Sequence, residues 1–147
     1  MVLKLEQDTS QKDIEIKITY PEKNKTINRL VSLIKSINKQ IECYSDDSLI
    51  YVNVSDIYYI ESIDKRTMIF CENDSFMTKG RLYQIFDKLE SEDFIQISKY
   101  CILNINKLEK IKTLANSHLE AELSNGKCLY VTRKYLADIK RSSKENK

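Results

Sequence analysis

The chain has 147 residues, 41% of them hydrophobic and 31% charged, a composition typical of one folded domain that excludes collagen-like, mucin-like and disordered classes. With 24 Lys and Arg against 22 Asp and Glu, the net charge of +2 by itself indicates no particular partner. The apolar runs are too short to span a bilayer, and the first residues lack the pattern of a signal peptide. We therefore expect a cytoplasmic protein without membrane insertion.

The first 47 residues predict a strand followed by a helix. Apolar and polar side chains alternate over residues 14–20, which is the period of a half-buried strand, and Pro21 ends the pattern. Apolar side chains then recur every three or four residues over 27–41, which predicts an amphipathic helix. This strand–helix unit packs on the rest of the chain or meets a second copy of itself. The apolar helix positions are Ile27, Leu30, Val31, Ile34, Ile37 and Ile41.

The rest of the chain predicts short strands separated by polar turns, as in an all-β sandwich or barrel-like domain. The pair Asn125 and Gly126 predicts the positive φ angles of a type I′ hairpin turn. One short helix places Leu82, Ile85 and Leu89 on one face, and we expect disorder over residues 142–147. The predicted strands cover residues 49–54, 58–62, 67–72, 76–78, 94–97, 101–104, 108–114, 118–123 and 128–131.

Residues for catalysis or metal binding are few. Two glycines in the whole chain exclude Gly-rich phosphate loops, and the single histidine, His118, lies beside a predicted turn without a catalytic partner at a recognisable spacing. The paired carboxylates at 46–47 and 92–93 fall in predicted turns. We expect no enzyme, no cofactor and no metal. The cysteines form no Cys-x-x-Cys pair and are interpreted as reduced, mostly buried thiols, with a redox sensor as the alternative; they are Cys43, Cys71, Cys101 and Cys128.

Positive charge is concentrated in the C-terminal third. Residues 45–94 hold 5 Lys and Arg against 11 Asp and Glu, whereas residues 95–147 hold 11 against 5. This distribution suits a protein that presents one face to a polyanion, and the alternative is a solvated basic tail. Three basic clusters in predicted loops carry side chains that reach phosphates or guanine edges. They are Lys65 with Arg66, Lys99 with Tyr100 after Ser98, and Arg133 with Lys134 and Tyr135 after Thr132; Lys140 and Arg141 follow.

Four stretches in this order resemble the LytTR DNA-binding domain, the output module of many bacterial response regulators and of small free-standing transcription factors. They are the segment DIYYIES at 56–62, a helix with Leu82 and Leu89 after Arg81, the segment FIQISKYCILN at 94–104, and Asn125 with Gly126 followed by VTRKY at 131–135. The resemblance covers residues 48–141. It implies a mainly β domain of packed antiparallel sheets with one short helix, whose inter-strand loops enter successive major grooves of double-stranded DNA.

The resemblance also implies which residues contact DNA. Family members commonly carry a His before the basic residue of the second loop, whereas this chain has Ser98, and its first loop has no His. Phosphate contact therefore carries over, but a particular base preference does not. The implied contacts are Lys65, Arg66 and Thr67 in the first loop, Ser98, Lys99 and Tyr100 in the second, and Thr132, Arg133, Lys134 and Tyr135 in the third.

The resemblance divides the chain into an N-terminal strand–helix extension, residues 1–47, and a LytTR-like domain, residues 48–147. The extension is too short for a receiver domain, so we expect no aspartate phosphorylation within the chain. It resembles the extension of free-standing LytTR regulators, and its apolar stripe indicates a homodimer contact; alternatively, the helix covers a sheet of its own domain.

The sequence therefore predicts a sequence-specific DNA-binding transcriptional regulator. The alternative is a protein–protein interaction module that keeps the fold without binding DNA, for example by capturing a membrane protein through its N-terminal unit. DNA binding requires the loops at 65, 99 and 133 to share one face.

Overall fold

The computed structural model describes residues 1–37, 39–89, 93–115 and 118–135, apart from the side chain of residue 36. Over these residues the fold is mainly β, as predicted, with ten strands in two antiparallel sheets and two α-helices. Neither described helix combines the length and apolar character that a membrane crossing requires.

The helices are α1 (Lys25–Ile37) and α2 (Leu82–Leu89). The strands are β1 (Gln40–Ser45), β2 (Ser48–Asn53), β3 (Tyr59–Ile63), β4 (Arg66–Phe70), β5 (Ser75–Thr78), β6 (Phe94–Ser98), β7 (Cys101–Asn104), β8 (Leu108–Thr113), β9 (Leu119–Leu123) and β10 (Cys128–Val131).

The larger sheet has seven strands in the order β2-β1-β5-β4-β3-β7-β6, and the smaller has three in the order β10-β9-β8. All pairs are antiparallel, and most neighbours in space are joined by short hairpins, which alternating strands with polar turns favour. The nine strands predicted after residue 48 are confirmed as β2 to β10, with ends that agree within two residues; β7 and β10 have the predicted bounds. The predicted C-terminal disorder lies outside the described residues.

Two apolar cores lie on opposite faces of the larger sheet. Because side chains alternate along a strand, Ile60 and Ile69 lie in the core beneath α2, whereas their neighbours Tyr59 and Phe70 lie in the core beneath the smaller sheet. Tyr59 stacks on Phe70 with ring centroids 4.4 Å apart. The two cores therefore fix both α2 and the smaller sheet against the same seven strands.

The predicted N-terminal helix is confirmed, with different ends. Asn24 caps α1, since its side-chain oxygen accepts a hydrogen bond from the Ile27 amide at 3.0 Å. The helix ends at Ile37, and Ile41, which the apolar stripe included, lies in β1. Ile41 is the second residue of β1, and it lies four positions after Ile37, which is also the spacing of one helical turn. The apolar pattern therefore extended the predicted helix by four positions.

The predicted strand over residues 14–20 is wrong. These residues have no regular secondary structure, and no strand of either sheet pairs with them within the part of the chain described. Ile14 is 86% exposed and Ile16 is 56% exposed. Alternation alone does not make a strand, because a strand also needs a neighbour to pair its backbone groups.

Strand β1 was not predicted, and it pairs along its whole length with β2, from Gln40 opposite Asn53 to Ser45 opposite Ser48. The larger sheet therefore begins upstream of residue 48, inside the segment that the sequence assigned to the N-terminal extension. The backbone amide of Val54 also donates to the Lys39 carbonyl at 2.9 Å, which ties the end of the extension to the domain.

The turn at Asn125 and Gly126 is not of type I′. Only Gly126 has a positive φ, of 88°, and its amide donates to the Leu123 carbonyl while the Leu123 amide donates to the Lys127 carbonyl. This is a three-residue hairpin loop with the glycine at the left-handed position. The glycine was interpreted correctly as a positive-φ residue, but the loop is one residue longer than the dipeptide signal implied.

Candidate nucleic-acid interface

The first candidate segment, loop A (residues 63–67), is the hairpin between β3 and β4. Ile63 pairs with Arg66, so the loop proper is only Asp64 and Lys65, with φ angles of 50° and 66°. Two positive φ angles in a two-residue hairpin are the pattern of a type I′ turn. Neither residue is glycine, so the backbone is strained where it presents Lys65 and Arg66 to solvent.

Thr67 differs from its neighbours in loop A. Its side chain is 3% exposed, and its hydroxyl donates to the Gly80 carbonyl at 2.7 Å. A buried hydroxyl with this partner is unavailable to a phosphate, so the structure gives Thr67 a structural role in place of the implied DNA contact. It joins loop A to the segment that precedes α2.

Loop B (residues 98–100) lies between β6 and β7, beside loop A. The Ser62 amide donates to the Tyr100 carbonyl at 2.8 Å, which extends the β3–β7 pairing to the base of both loops. Lys99 and Tyr100 are exposed, and the Lys99 ammonium lies 5.4 Å from the centre of the Tyr100 ring. Ser98 is half-buried, and its hydroxyl accepts from the Tyr100 amide at 3.3 Å.

Loop C (residues 132–135) follows β10 and contacts the end of β6. The Thr132 amide and hydroxyl both donate to the Ile97 carbonyl, at 2.9 Å and 3.3 Å. The next residues form a 3₁₀ turn in which Arg133 and Lys134 are exposed. Tyr135 is half-buried against the core beneath the smaller sheet, and the Lys134 ammonium lies 5.5 Å from its ring centre.

Backbone hydrogen bonds therefore bring the three loops together at one end of the molecule. Loop A is bonded to loop B through Ser62 and Tyr100, and loop B is bonded to loop C through Ile97 and Thr132. Among the described residues the one salt bridge joins Lys110 to Glu122, away from these loops. The exposed loop cations are thus not neutralised by ion pairs within the described chain. They are Lys65, Arg66, Lys99, Arg133 and Lys134.

A residue that the sequence did not assign to the interface lies beside it. Arg81 is exposed at the start of α2, and it lines a cleft of 960 Å³ together with Lys65 and Lys99. In the sequence Arg81 was noted only as the residue before Leu82, because nothing in a linear pattern shows that β5 ends beside loop A. Lys140 and Arg141 lie outside the described residues.

All four thiols have pKa values above that of an ordinary cysteine. Burial, together with the nearby Glu61 carboxylate, raises the pKa of Cys101, beside loop B, to about 12. Burial likewise raises the pKa of Cys43 and of Cys71 to about 11. Cys128 is exposed, in contrast to the prediction of mostly buried thiols, and a hydrogen bond with Glu120 raises its pKa. All four are free cysteines.

A model of the family described as the LytTr DNA-binding domain matches residues 47–144. The chain belongs to the LytTR family. The match covers two thirds of the chain and includes all three loops. A solved LytTr DNA-binding domain from Bacillus cereus has the same fold, with a TM-score of 0.65 and 25% sequence identity, over 71% of this chain and 96% of the other.

The LytTR match is accompanied by relatives of similar length. An uncharacterized HTH-type transcriptional regulator of Staphylococcus aureus strain NCTC 8325 / PS 47 is 28% identical over 142 residues, which is 95% of this chain and 96% of the relative. Another from the bovine strain RF122 / ET3-1 is 27% identical over the same coverage. In this chain α1 and α2 are separated by five strands, so these two helices do not form a helix-turn-helix.

Proposed function

We propose that the protein is a sequence-specific transcriptional regulator that contacts double-stranded DNA through loops A, B and C. The observation that carries the proposal is the continuous hydrogen-bonded arrangement of the three loops, from Ser62 and Tyr100 to Ile97 and Thr132. Loops held in fixed relative positions present their cations at fixed spacings, as reading successive major grooves requires. Because bacterial DNA is in the cytoplasm, we place this activity there.

The exposed side chains divide into two roles under this proposal. Arg133 and Lys99 reach base edges or phosphates as charged donors, and the other loop cations neutralise phosphates. Ser98 and Tyr100 supply hydroxyls beside them, whereas the Thr132 hydroxyl already donates to the Ile97 carbonyl and helps to position loop C. Tyr135 stays packed in the smaller-sheet core and positions loop C, as Thr67 positions loop A.

We also propose that the N-terminal extension, predicted as residues 1–47, forms a homodimer contact through the part that precedes β1. Its support is the set of exposed apolar side chains at Ile14, Ile16, Tyr20 and Ile37. Burying such side chains is favourable, at about 25 cal/mol per Å² of apolar surface. A second copy doubles the number of loops and matches a repeated DNA half-site.

The proposal is tested by selecting bound duplexes from a random DNA pool and measuring affinity for the selected sequence by fluorescence anisotropy. Lys99→Ala and Arg133→Ala are each expected to weaken specific binding by about tenfold or more while leaving thermal unfolding unchanged, because both side chains are exposed. Lys127→Ala is the matched control, since Lys127 is exposed at the opposite end of β10 from loop C.

Selection that enriches no sequence, or loop variants that bind like the wild type, would contradict the proposal. The chain would then act through protein partners, a membrane protein among them, while keeping the LytTR fold.

A further inference from the structure

The cleft beside loops A and B extends beyond these two loops to Arg81 and the first turn of α2. Its volume is 960 Å³, and it lies between the two hairpins and the start of α2. We propose that this cleft receives a stretch of the DNA phosphodiester backbone, with Arg81 as a phosphate contact outside the three loops. The inference rests on the proposed DNA-binding function and extends it to a fourth segment of the chain.

Arg81 is placed by the sheet and not by a flexible loop. Strand β5 ends at Thr78, which pairs with Thr67 at the base of loop A. The hydrogen bond from the Thr67 hydroxyl to the Gly80 carbonyl then fixes the residue before Arg81, and Gly80 turns the chain with a φ of 101°. The backbone at Arg81 is therefore held in a constant position relative to loop A.

The start of α2 completes the support for Arg81. The Arg81 amide donates to the Gln84 side-chain oxygen at 2.9 Å, and the Arg81 carbonyl accepts from the amides of Gln84 and Ile85. These three bonds use only the backbone of Arg81, and its side chain is exposed at the lining of the cleft. A planar guanidinium with this support donates two parallel hydrogen bonds to a phosphate.

The cleft is lined by three cations and two carboxylates, so its net charge favours an anion. Lys65, Arg81 and Lys99 line it, against Asp64 and Asp87. Tyr83 and Tyr100 also line it, and their hydroxyls are donors that suit phosphate oxygens. Phosphate is a better match than a base edge, because base edges are reached by the hairpin tips, and Arg81 follows a strand end.

The test compares Arg81→Gln with the wild-type full-length protein on its selected duplex across a range of salt concentrations. We expect Arg81→Gln to weaken binding roughly 3- to 10-fold at 0.1 M salt and to reduce the slope of log Kobs against log salt by about 0.9, the value of one phosphate contact. The loss should be equal on a scrambled duplex, because phosphates carry no sequence information. Asp87→Asn should tighten binding about twofold, since it removes a negative charge from the cleft.

The matched control is Lys88→Gln, which removes an exposed cation from α2 outside this cleft. Unchanged binding of Arg81→Gln, when Arg133→Ala loses specific binding, would overturn the cleft assignment and leave the proposed function standing. An equal loss with Lys88→Gln would show a general charge effect and overturn it as well. A changed sequence preference in Arg81→Gln would replace the phosphate contact by a base contact. A wild-type protein that binds no duplex would remove both proposals.

Discussion

At the scale of single residues, Asn104 shows how a family motif residue serves the fold. It is 2% exposed, its amide group donates to the Ile57 carbonyl at 2.7 Å, and its side-chain oxygen accepts from the Asn106 amide at 3.0 Å. One side chain thus forms hydrogen bonds with two backbone groups, the Ile57 carbonyl and the Asn106 amide, that are far from each other in the sequence. The asparagine at the end of the segment 94–104 is therefore a structural residue at the end of β7.

Asn104→Ala is expected to lower the free energy of unfolding by about 2–3 kcal/mol, because the buried Ile57 carbonyl loses its donor and the Asn106 amide loses its acceptor. Urea unfolding followed by circular dichroism measures the change. Asn73→Ala, at an exposed turn position, should change the value by less than about 0.5 kcal/mol. Equal effects of the two substitutions would contradict the role given to Asn104.

The sequence identified the exposed cations of the candidate interface but not the surroundings of each side chain. Lys65, Lys99 and Arg133 are exposed, as their positions in polar turns suggested. Thr67 was misassigned because its partner, the Gly80 carbonyl, is 13 residues away, and no local pattern reports a contact at that distance. Arg81 was missed for the same reason, since its place beside loop A depends on the pairing of β4 with β5.

At the scale of elements, the hairpin of loop A combines strain with exposure. Asp64 and Lys65 both adopt the left-handed conformation, which costs a non-glycine residue about 1–2 kcal/mol. Strain of this kind is concentrated at functional sites. Glycine would fit the turn better, but it would remove a cation from the proposed interface.

Lys65→Gly is therefore expected to raise the free energy of unfolding by about 0.5–1 kcal/mol, because release of the left-handed strain exceeds the entropy cost of glycine. DNA affinity should fall several-fold in the same variant, because one phosphate contact is lost. Chemical denaturation and anisotropy titration give the two values. Lys127→Gly, at a residue without a positive φ, should instead be destabilising; a loss of stability in Lys65→Gly would contradict the assignment of strain.

The sequence predicted a strand well where turn residues mark its ends. It predicted poorly where the presence of a partner strand determines whether a strand forms. Strands β2 to β10 are each bounded by polar turns, and the sequence identified every one of them. Strand β1 was missed because the helical stripe of α1 continues by coincidence to Ile41. The apparent strand at 14–20 has the right period, but within the described chain it has no neighbouring strand.

At the scale of the whole molecule, the segment 14–20 exposes the apolar side chains of Ile14 and Ile16, and within the described chain no strand pairs with it. The Ser32 hydroxyl donates to the Asp93 carboxylate at 2.5 Å, which anchors α1 to its own domain and leaves the preceding segment separate. Packing of α1 on its own chain and a contact between copies through residues 14–20 are therefore compatible.

Ile16→Asp is expected to convert a dimer into a monomer, because a buried carboxylate at an apolar contact is unfavourable by several kcal/mol. Sedimentation velocity at micromolar concentration measures the change. Lys17→Asp is the matched control: it introduces the same side chain at the next residue, where the exposed wild-type side chain is already charged. A wild-type protein that sediments as a monomer would remove the proposed dimer contact.

The hydrogen bonds between Thr132 and the Ile97 carbonyl join the smaller sheet to an edge strand of the larger one. The offset between loop B and loop C is consequently set by how the two sheets pack, through side chains such as Val131 and Leu119 that never meet a ligand. Under the proposed function, the packing of the protein interior therefore determines which positions along the DNA helix loops B and C contact. Substitutions of such core residues are expected to change the spacing between the DNA positions that the protein prefers, although every side chain that faces a groove is unchanged.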